Sequence, residues 1–185
     1  DSLEVNMMHF DPSKIEVLYS EKDLERIVER LANEINAYYT PITDEITAVC
    51  ILKGSVHFYS DLLKRLNLKV RYNFVHVSSY SGSSTTGRIR VKTWVDESVT
   101  DKYVLLVEDI VDTGGTLRYI INYIWKQKPA GVKLVSLFEK TIHEHGVTID
   151  FTGDRIGDLF VVGYGLDFDE VYRNLPYVGY LKSDS

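Results

Sequence analysis

Two short runs decide what kind of fold is open to this chain. Ile46–Leu52 (ITAVCIL) and Tyr103–Val107 (YVLLV) are rich in aliphatic and β-branched residues and present no polar face. A strand with one wet face alternates polar and apolar side chains. A strand without that alternation is buried on both sides, as in parallel sheets covered by helices.

The segments after each run agree with parallel pairing. Past Lys53-Gly54, Val56, Tyr59, Leu62, Leu63 and Leu66 recur at helical spacing, and Val70 to Val77 reads as the next strand, which completes a βαβ unit. Past the polar turn Glu108 to Gly115, Leu117, Ile120, Ile121, Ile124 and Trp125 mark a second helix, closed by Pro129 and Gly131. Val132 to Phe138 and Leu159 to Val162 supply further strands. Upstream, Leu24, Ile27, Val28, Leu31, Ile35 and Tyr38 form the apolar stripe of a helix over 21–39, with Ser20 as its N-cap. Alternating strand and helix predict an α/β fold, a parallel sheet joined by right-handed crossovers.

Length and composition narrow the function. At 185 residues, 44% of them hydrophobic, one domain over 1–185 is expected. With 21 basic and 27 acidic side chains the net charge is −6, which opposes binding to nucleic acid. The lone cysteine, Cys50, the lack of a glycosylation sequon and the lack of a run long enough to span a bilayer lead us to expect a cytoplasmic protein without membrane attachment.

The chemistry is concentrated in Glu108-Asp109-Ile110-Val111-Asp112-Thr113-Gly114-Gly115-Thr116. It lies between the carboxyl end of a buried strand and the start of a helix, where open α/β sheets bind ligands. Three carboxylates there can bind hydroxyls, a metal or a proton. The small residues after them free backbone N–H groups at a helix N-terminus to wrap a phosphate, and Gly114 and Gly115 permit the tight turn. An ordinary capped turn with surface acids is the plainer alternative. No lysine completes a Walker loop, and Phe168 interrupts the dinucleotide-like spacing begun by Gly163 and Gly165. The Ser/Gly-rich stretch 78–87 (SSYSGSSTTG) is either a solvated loop or a lid.

Val104–Thr116 (VLLVEDIVDTGGT) resembles the phosphoribosyl diphosphate motif of type I phosphoribosyltransferases. Leu52-Lys53-Gly54-Ser55, Ser79-Tyr80, Phe160–Asp167 (FVVGYGLD) and Arg173 resemble, in the same order, the hypoxanthine-guanine subfamily. The resemblance implies a parallel-sheet type I phosphoribosyltransferase fold with helices on both faces and a small base-binding hood. It implies transfer of the 5-phosphoribosyl group from phosphoribosyl diphosphate to a 6-oxopurine, with inversion at C1, release of pyrophosphate and Mg2+ as cofactor.

The resemblance also implies roles. Thr113, Gly114, Gly115 and Thr116 would cradle the 5'-phosphate, while Glu108 and Asp109 would face the ribose diol directly or through magnesium. Asp112 would handle the proton at purine N7. Lys53 and Gly54 would meet pyrophosphate through their backbone, often with a non-proline cis peptide in this family, and Arg173 would pair with it. Lys140 would donate to O6 of the base and disfavour adenine. Phe160, which by itself reads as core, would stack on the purine, and the Val161 backbone would read its pyrimidine edge. Asp167 would ligate magnesium through water and offer its carbonyl to guanine. Ser79 and Tyr80 would place a flexible lid over about 78–90. Family members are usually dimers or tetramers, so a homo-oligomer is expected.

One segment departs from the family pattern. Where a proline and arginines are usual after Lys140, this chain reads Thr141-Ile142-His143-Glu144-His145. The two histidines lack a third spaced ligand, so a solvated loop rather than zinc is expected. The rival functions are a xanthine-preferring relative, a non-catalytic phosphoribosyl diphosphate sensor and a phosphoryl receiver. The net charge, Asp112 and Lys140, and the position of the acid pair along the chain weigh against the last two.

Overall fold

The computed structural model describes residues 11–80, 88–93 and 97–182. Its main sheet has six strands in the order β4-β3-β2-β5-β6-β7: Arg88–Thr93, Lys69–Tyr80, Glu45–Ile51, Tyr103–Val111, Gly131–Lys140 and Phe151–Ile156. All neighbours pair in parallel except β4, which runs antiparallel to β3. Among the described residues three helices cover the sheet, α1 (Glu21–Tyr39), α2 (Val56–Leu63) and α3 (Gly115–Lys126). A second sheet, β1-β9-β8, joins Ile15–Tyr19, Val178–Leu181 and Val161–Val162 in antiparallel fashion.

The two apolar runs are the central strands, and their alternate residues feed two cores. Ile46, Ala48 and Cys50 of β2, with Leu105 and Val107 of β5, pack with Leu31 and Ile35 of α1 and Phe58 and Leu62 of α2. Val49 and Ile51, with Val104 and Leu106, pack with Leu117, Ile120 and Ile124 of α3 on the opposite face. Helix α1 starts in a capping box, since Ser20 Oγ accepts from Asp23 N at 3.1 Å and Asp23 accepts from Ser20 N at 2.9 Å.

The winding direction reverses between β2 and β5. From β2 the chain crosses to β3 on one side, and from β5 it crosses to β6 and then β7 on the other. The carboxyl ends of β2 and β5 therefore diverge into different loops, opening the crevice that doubly wound sheets use for ligands.

Three expectations need correction or completion. The strand placed at Leu159 to Val162 shrinks to Val161–Val162 and belongs to the small antiparallel sheet, because Phe151–Ile156 already occupies the parallel edge. Phe160 is not core but 56% exposed. Of the 78–90 lid, residues 81–87 lie outside the described residues; its flanks pair antiparallel, Ser79 with Ile89 and Tyr80 with Arg88.

The 141–145 segment is exposed from Thr141 to Glu144, as expected of a solvated loop, and is anchored through His145. Val147 N donates to His145 Nδ1 at 3.1 Å, so Nδ1 is an acceptor and the Nε2 proton points to Glu139 Oε1, also 3.1 Å away. Arg155 Nε donates to the other Glu139 oxygen at 3.1 Å. Glu139 thus ties the segment to β6 and β7, and the His145 bond, then Arg155, holds its carboxyl below the usual glutamate range.

Replacing Ile120 by Ala should cost about 2–5 kcal/mol in urea unfolding, since it removes a fully buried side chain from the α3 core. Ionised Glu139 favours the folded state, and this contribution is complete above the ordinary value of 4.5 and lost as pH falls through the lower folded value. Glu139→Gln should therefore lower the melting temperature at pH 7, with a difference from wild type that closes on acidification below that range, as followed by circular dichroism.

Candidate functional site

The crevice is assembled from two strand ends. Strand β5 continues past the apolar run through Glu108 and Asp109 to Val111, so the acid pair sits on the strand's end rather than in the loop. Asp109 N donates to Glu108 Oε1 at 2.9 Å, and Ile110 N donates to Asp109 Oδ1 at 2.7 Å. Burial raises the pKa of both carboxyls, and the Asp109 charge pushes Glu108 further, well above the usual range. A buried acid pair held by backbone amides has donor oxygens suited to hydroxyls or a hard cation.

After Val111 the chain turns through Asp112 and Thr113. Gly114 takes the left-handed conformation (φ +76°), and α3 begins at Gly115 without a side-chain cap. The first turn of α3 therefore leaves its amide donors to whatever enters the pocket of about 160 Å3 bounded by Glu108 and by residues 110–117. Arg118, one turn into the helix, donates to Thr113 O at 3.0 Å and to His145 O, which ties the 141–145 segment to the rim.

Asp112 stands between two nitrogen-bearing side chains from β6 and the segment after it. Lys140 Nζ lies 4.0 Å from Oδ2 and His143 Nε2 lies 3.6 Å from Oδ1. Asp112 Oδ1 is buried and forms no hydrogen bond among the described residues, which leaves one acceptor of this carboxylate unsatisfied. The sequence gives no sign of the approach of His143, because only the folded segment brings it back to the turn.

The end of β2 supplies the opposite wall. The Leu52-Lys53 peptide is cis, as the resemblance led us to expect. Gly54 passes so close to β5 that a β-carbon there would overlap Asp109 Oδ2. On its other side, a β-carbon on Gly165 would overlap Gly54 O, and Gly165 has φ +97°. The Gly165 and Gly54 backbones and the Asp109 carboxylate are thereby stacked from hood to strand end, and neither glycine can carry a side chain without displacing a neighbour.

Beyond Gly165, the 163–173 segment returns on itself. Arg173 Nη1 donates to Gly165 O at 2.7 Å, and Arg173 Nη2 lies 3.5 Å from Asp167 Oδ1 and 3.2 Å from Glu170 Oε1. Lys53 Nζ reaches Glu170 Oε2 at 2.8 Å. Arg173 Nε is buried without a hydrogen bond among the described residues. Nothing in the sequence sets Glu170 apart from other surface acids.

Phe160 precedes β8 with its ring exposed and an edge contact to Phe168 at 5.7 Å between centroids, while Val161 is buried in β8 opposite Tyr180. Glu108, Asp109 and residues 112–116 are contiguous at one strand end, and Lys140 joins them through Asp112. Lys53, Gly54, Asp167 and Arg173 meet at the facing loop. Among the described residues no three His, Cys, Asp or Glu side chains gather into a metal cage, so Asp167 does not form one cluster with Glu108 and Asp109. The Ser79 and Tyr80 side chains lie outside the described ones. No helix among the described residues is long and apolar enough to cross a membrane.

Comparison with known proteins agrees with this arrangement. The family model for the phosphoribosyl transferase domain matches residues 15–169. The hypoxanthine-guanine phosphoribosyltransferase of Bacillus subtilis is 37% identical over 178 residues, covering 95% of this chain and 97% of that protein. The hypoxanthine-guanine-xanthine phosphoribosyltransferase of Tritrichomonas foetus is 36% identical over 168 residues, 90% and 91% of the two chains. A crystal structure of a hypoxanthine phosphoribosyltransferase from Staphylococcus aureus superposes with a TM-score of 0.87 at 36% identity, over 95% of this chain and 96% of that one. Matches of this extent mean that the chain belongs to the phosphoribosyltransferase family.

Proposed function

We infer that the protein is a purine-salvage transferase. It moves the 5-phosphoribosyl group of phosphoribosyl diphosphate to hypoxanthine or guanine, giving IMP or GMP and pyrophosphate. The observation that carries this reading is the run from Glu108 to Thr116 at the reversal of the sheet, ending on an uncapped helix. The sensor reading is not favoured, since relatives matched over more than nine-tenths of their length are named as transferases.

Each wall of the crevice has its own work. Backbone donors from Thr113 to Thr116 take the 5'-phosphate, favoured by the helix dipole. Glu108 and Asp109 accept hydrogen bonds from the ribose hydroxyls. The Lys53-Gly54 backbone and Arg173 take pyrophosphate, where a guanidinium fork matches phosphate oxygens. Lys140 donates to O6 of the base, Phe160 lies against its ring, and Val161 offers backbone groups to the pyrimidine edge. In the transfer, N9 forms its bond to C1 as the bond from C1 to the pyrophosphate oxygen breaks, and the N7 proton passes to the Asp112 carboxylate.

The acid pair suits magnesium, a cation that takes one or two carboxylates and completes its shell with water and substrate phosphate. Glu108 and Asp109 would hold it, with Asp167 acting through water on the pyrophosphate side, and the ion would neutralise charge on the departing pyrophosphate. The 78–90 segment, through Ser79 and Tyr80, would close over the centre and exclude water. The unit works as one domain within a cytoplasmic homo-oligomer, dimer or tetramer, without nucleic acid or membrane.

Incubation with phosphoribosyl diphosphate and Mg2+ should give nucleotide with hypoxanthine and guanine but not adenine, and EDTA should abolish it; no turnover with any oxopurine would refute the reading. Asp112→Asn should lower kcat by about 10²–10⁴ while binding of phosphoribosyl diphosphate persists in calorimetry. Lys140→Ala should raise adenine turnover relative to hypoxanthine, as read by the ratio of kcat/KM values.

A further inference from the structure

The Arg173 guanidinium, assigned to pyrophosphate, is already joined by a carboxylate to the ammonium of Lys53, whose backbone is assigned to the same ligand. Glu170 Oε2 lies 2.8 Å from Lys53 Nζ and Oε1 lies 3.2 Å from Arg173 Nη2, so one side chain bridges the β2 loop and the 163–173 segment. We propose that Glu170 is an internal stand-in for pyrophosphate: it holds Lys53 and Arg173 ready for an anion, yields its place to the diphosphate, and returns as the product leaves.

The chemistry of the bridge supports this role. A carboxylate edge and a phosphate edge present two oxygens at similar spacing, and a guanidinium binds both in the same way. The backbone of Glu170 is fixed: its N–H donates to Asp167 Oδ2 at 2.9 Å, Phe168 and Val171 bridge across the turn, and φ is +68°. Its side chain is not fixed in this way, since it is 63% exposed and bonded through the two cations. A pinned backbone under an exposed, singly anionic side chain lets the carboxylate swing away without disturbing the hood.

The exchange is also weighted the right way. Exposed ion pairs hold weakly because water and salt screen them. An incoming diphosphate carries more charge than one carboxylate and reaches the Lys53-Gly54 backbone as well, so it wins the cations while Glu170 repels it. That repulsion weakens the diphosphate's hold and hastens its departure. Glu170 is accordingly a positioning residue that sets pyrophosphate affinity, and it makes no contact with the reacting atoms.

This inference rests on the assignment of Arg173 and the Lys53-Gly54 backbone to pyrophosphate, and the test separates the two. In calorimetric titration of the purified protein with Mg2+ and pyrophosphate, Glu170→Gln should tighten binding by about threefold to tenfold, the scale of two exposed ion pairs. IMP affinity should stay unchanged, and inhibition by pyrophosphate should strengthen with a fall in KM for phosphoribosyl diphosphate. A merely structural role would weaken both ligands instead. If Glu170→Gln binds pyrophosphate no more tightly while Arg173→Gln binds it more weakly, the stand-in role is overturned and the pyrophosphate site survives. If Arg173→Gln leaves pyrophosphate affinity unaltered, the site assignment fails and the inference falls with it.

Discussion

Gly165 resting on Gly54, and Gly54 on Asp109, is the contact on which the rest of the crevice depends. It brings two backbones, from the hood and the β2 loop, against the Asp109 carboxylate at the β5 end, with no room for a side chain on either glycine. The polar groups of the facing wall are placed relative to that stack. Arg173 is held by the Gly165 carbonyl, Lys53 precedes Gly54, and Asp109 abuts it. Pockets elsewhere on the surface are larger, such as the one of about 430 Å3 beside α1 and α2. They lack the strand-end acids and the open helix terminus, so volume is a poor guide to chemistry here.

The electrostatics of the two walls differ in kind. On the β5 wall, two carboxyls are crowded together and partly withheld from water, which raises the affinity of Glu108 and Asp109 for protons. On the facing wall, Lys53 and Arg173 are balanced by Asp167 and Glu170 in exposed or half-exposed pairs. Charge that is buried and concentrated keeps its shape, whereas charge that is exposed and paired can be rearranged. A ligand with a diol at one end and phosphates at the other meets a rigid wall and an adjustable one.

Much of this is legible in the chain. The runs 46–52 and 103–107 announce both central strands because total burial removes the polar face, and the acid, threonine and glycine string after the second announces the site. The small antiparallel sheet is not legible, because Ile15–Tyr19 and Val178–Leu181 are short and pair across opposite ends of the sequence. Nor does Val161–Val162 declare its sheet, since an apolar pair reads alike beside any neighbour. The role of Glu139 and the approach of His143 to Asp112 depend on how 141–147 folds back, which no periodicity encodes.

The pairing of Ile15 with Leu181 has a consequence for how the protein is made. Residues 21–156 contain helices α1 to α3 and all six strands of the main sheet, so most of that layer can form before the C-terminal strand pairs. The hood needs Ile15–Tyr19 paired with Val178–Leu181, a contact of long sequence separation that is costly to close. Phosphate-binding geometry is therefore available to the nascent chain before a purine pocket is, and competence for the base arrives only with the final strand.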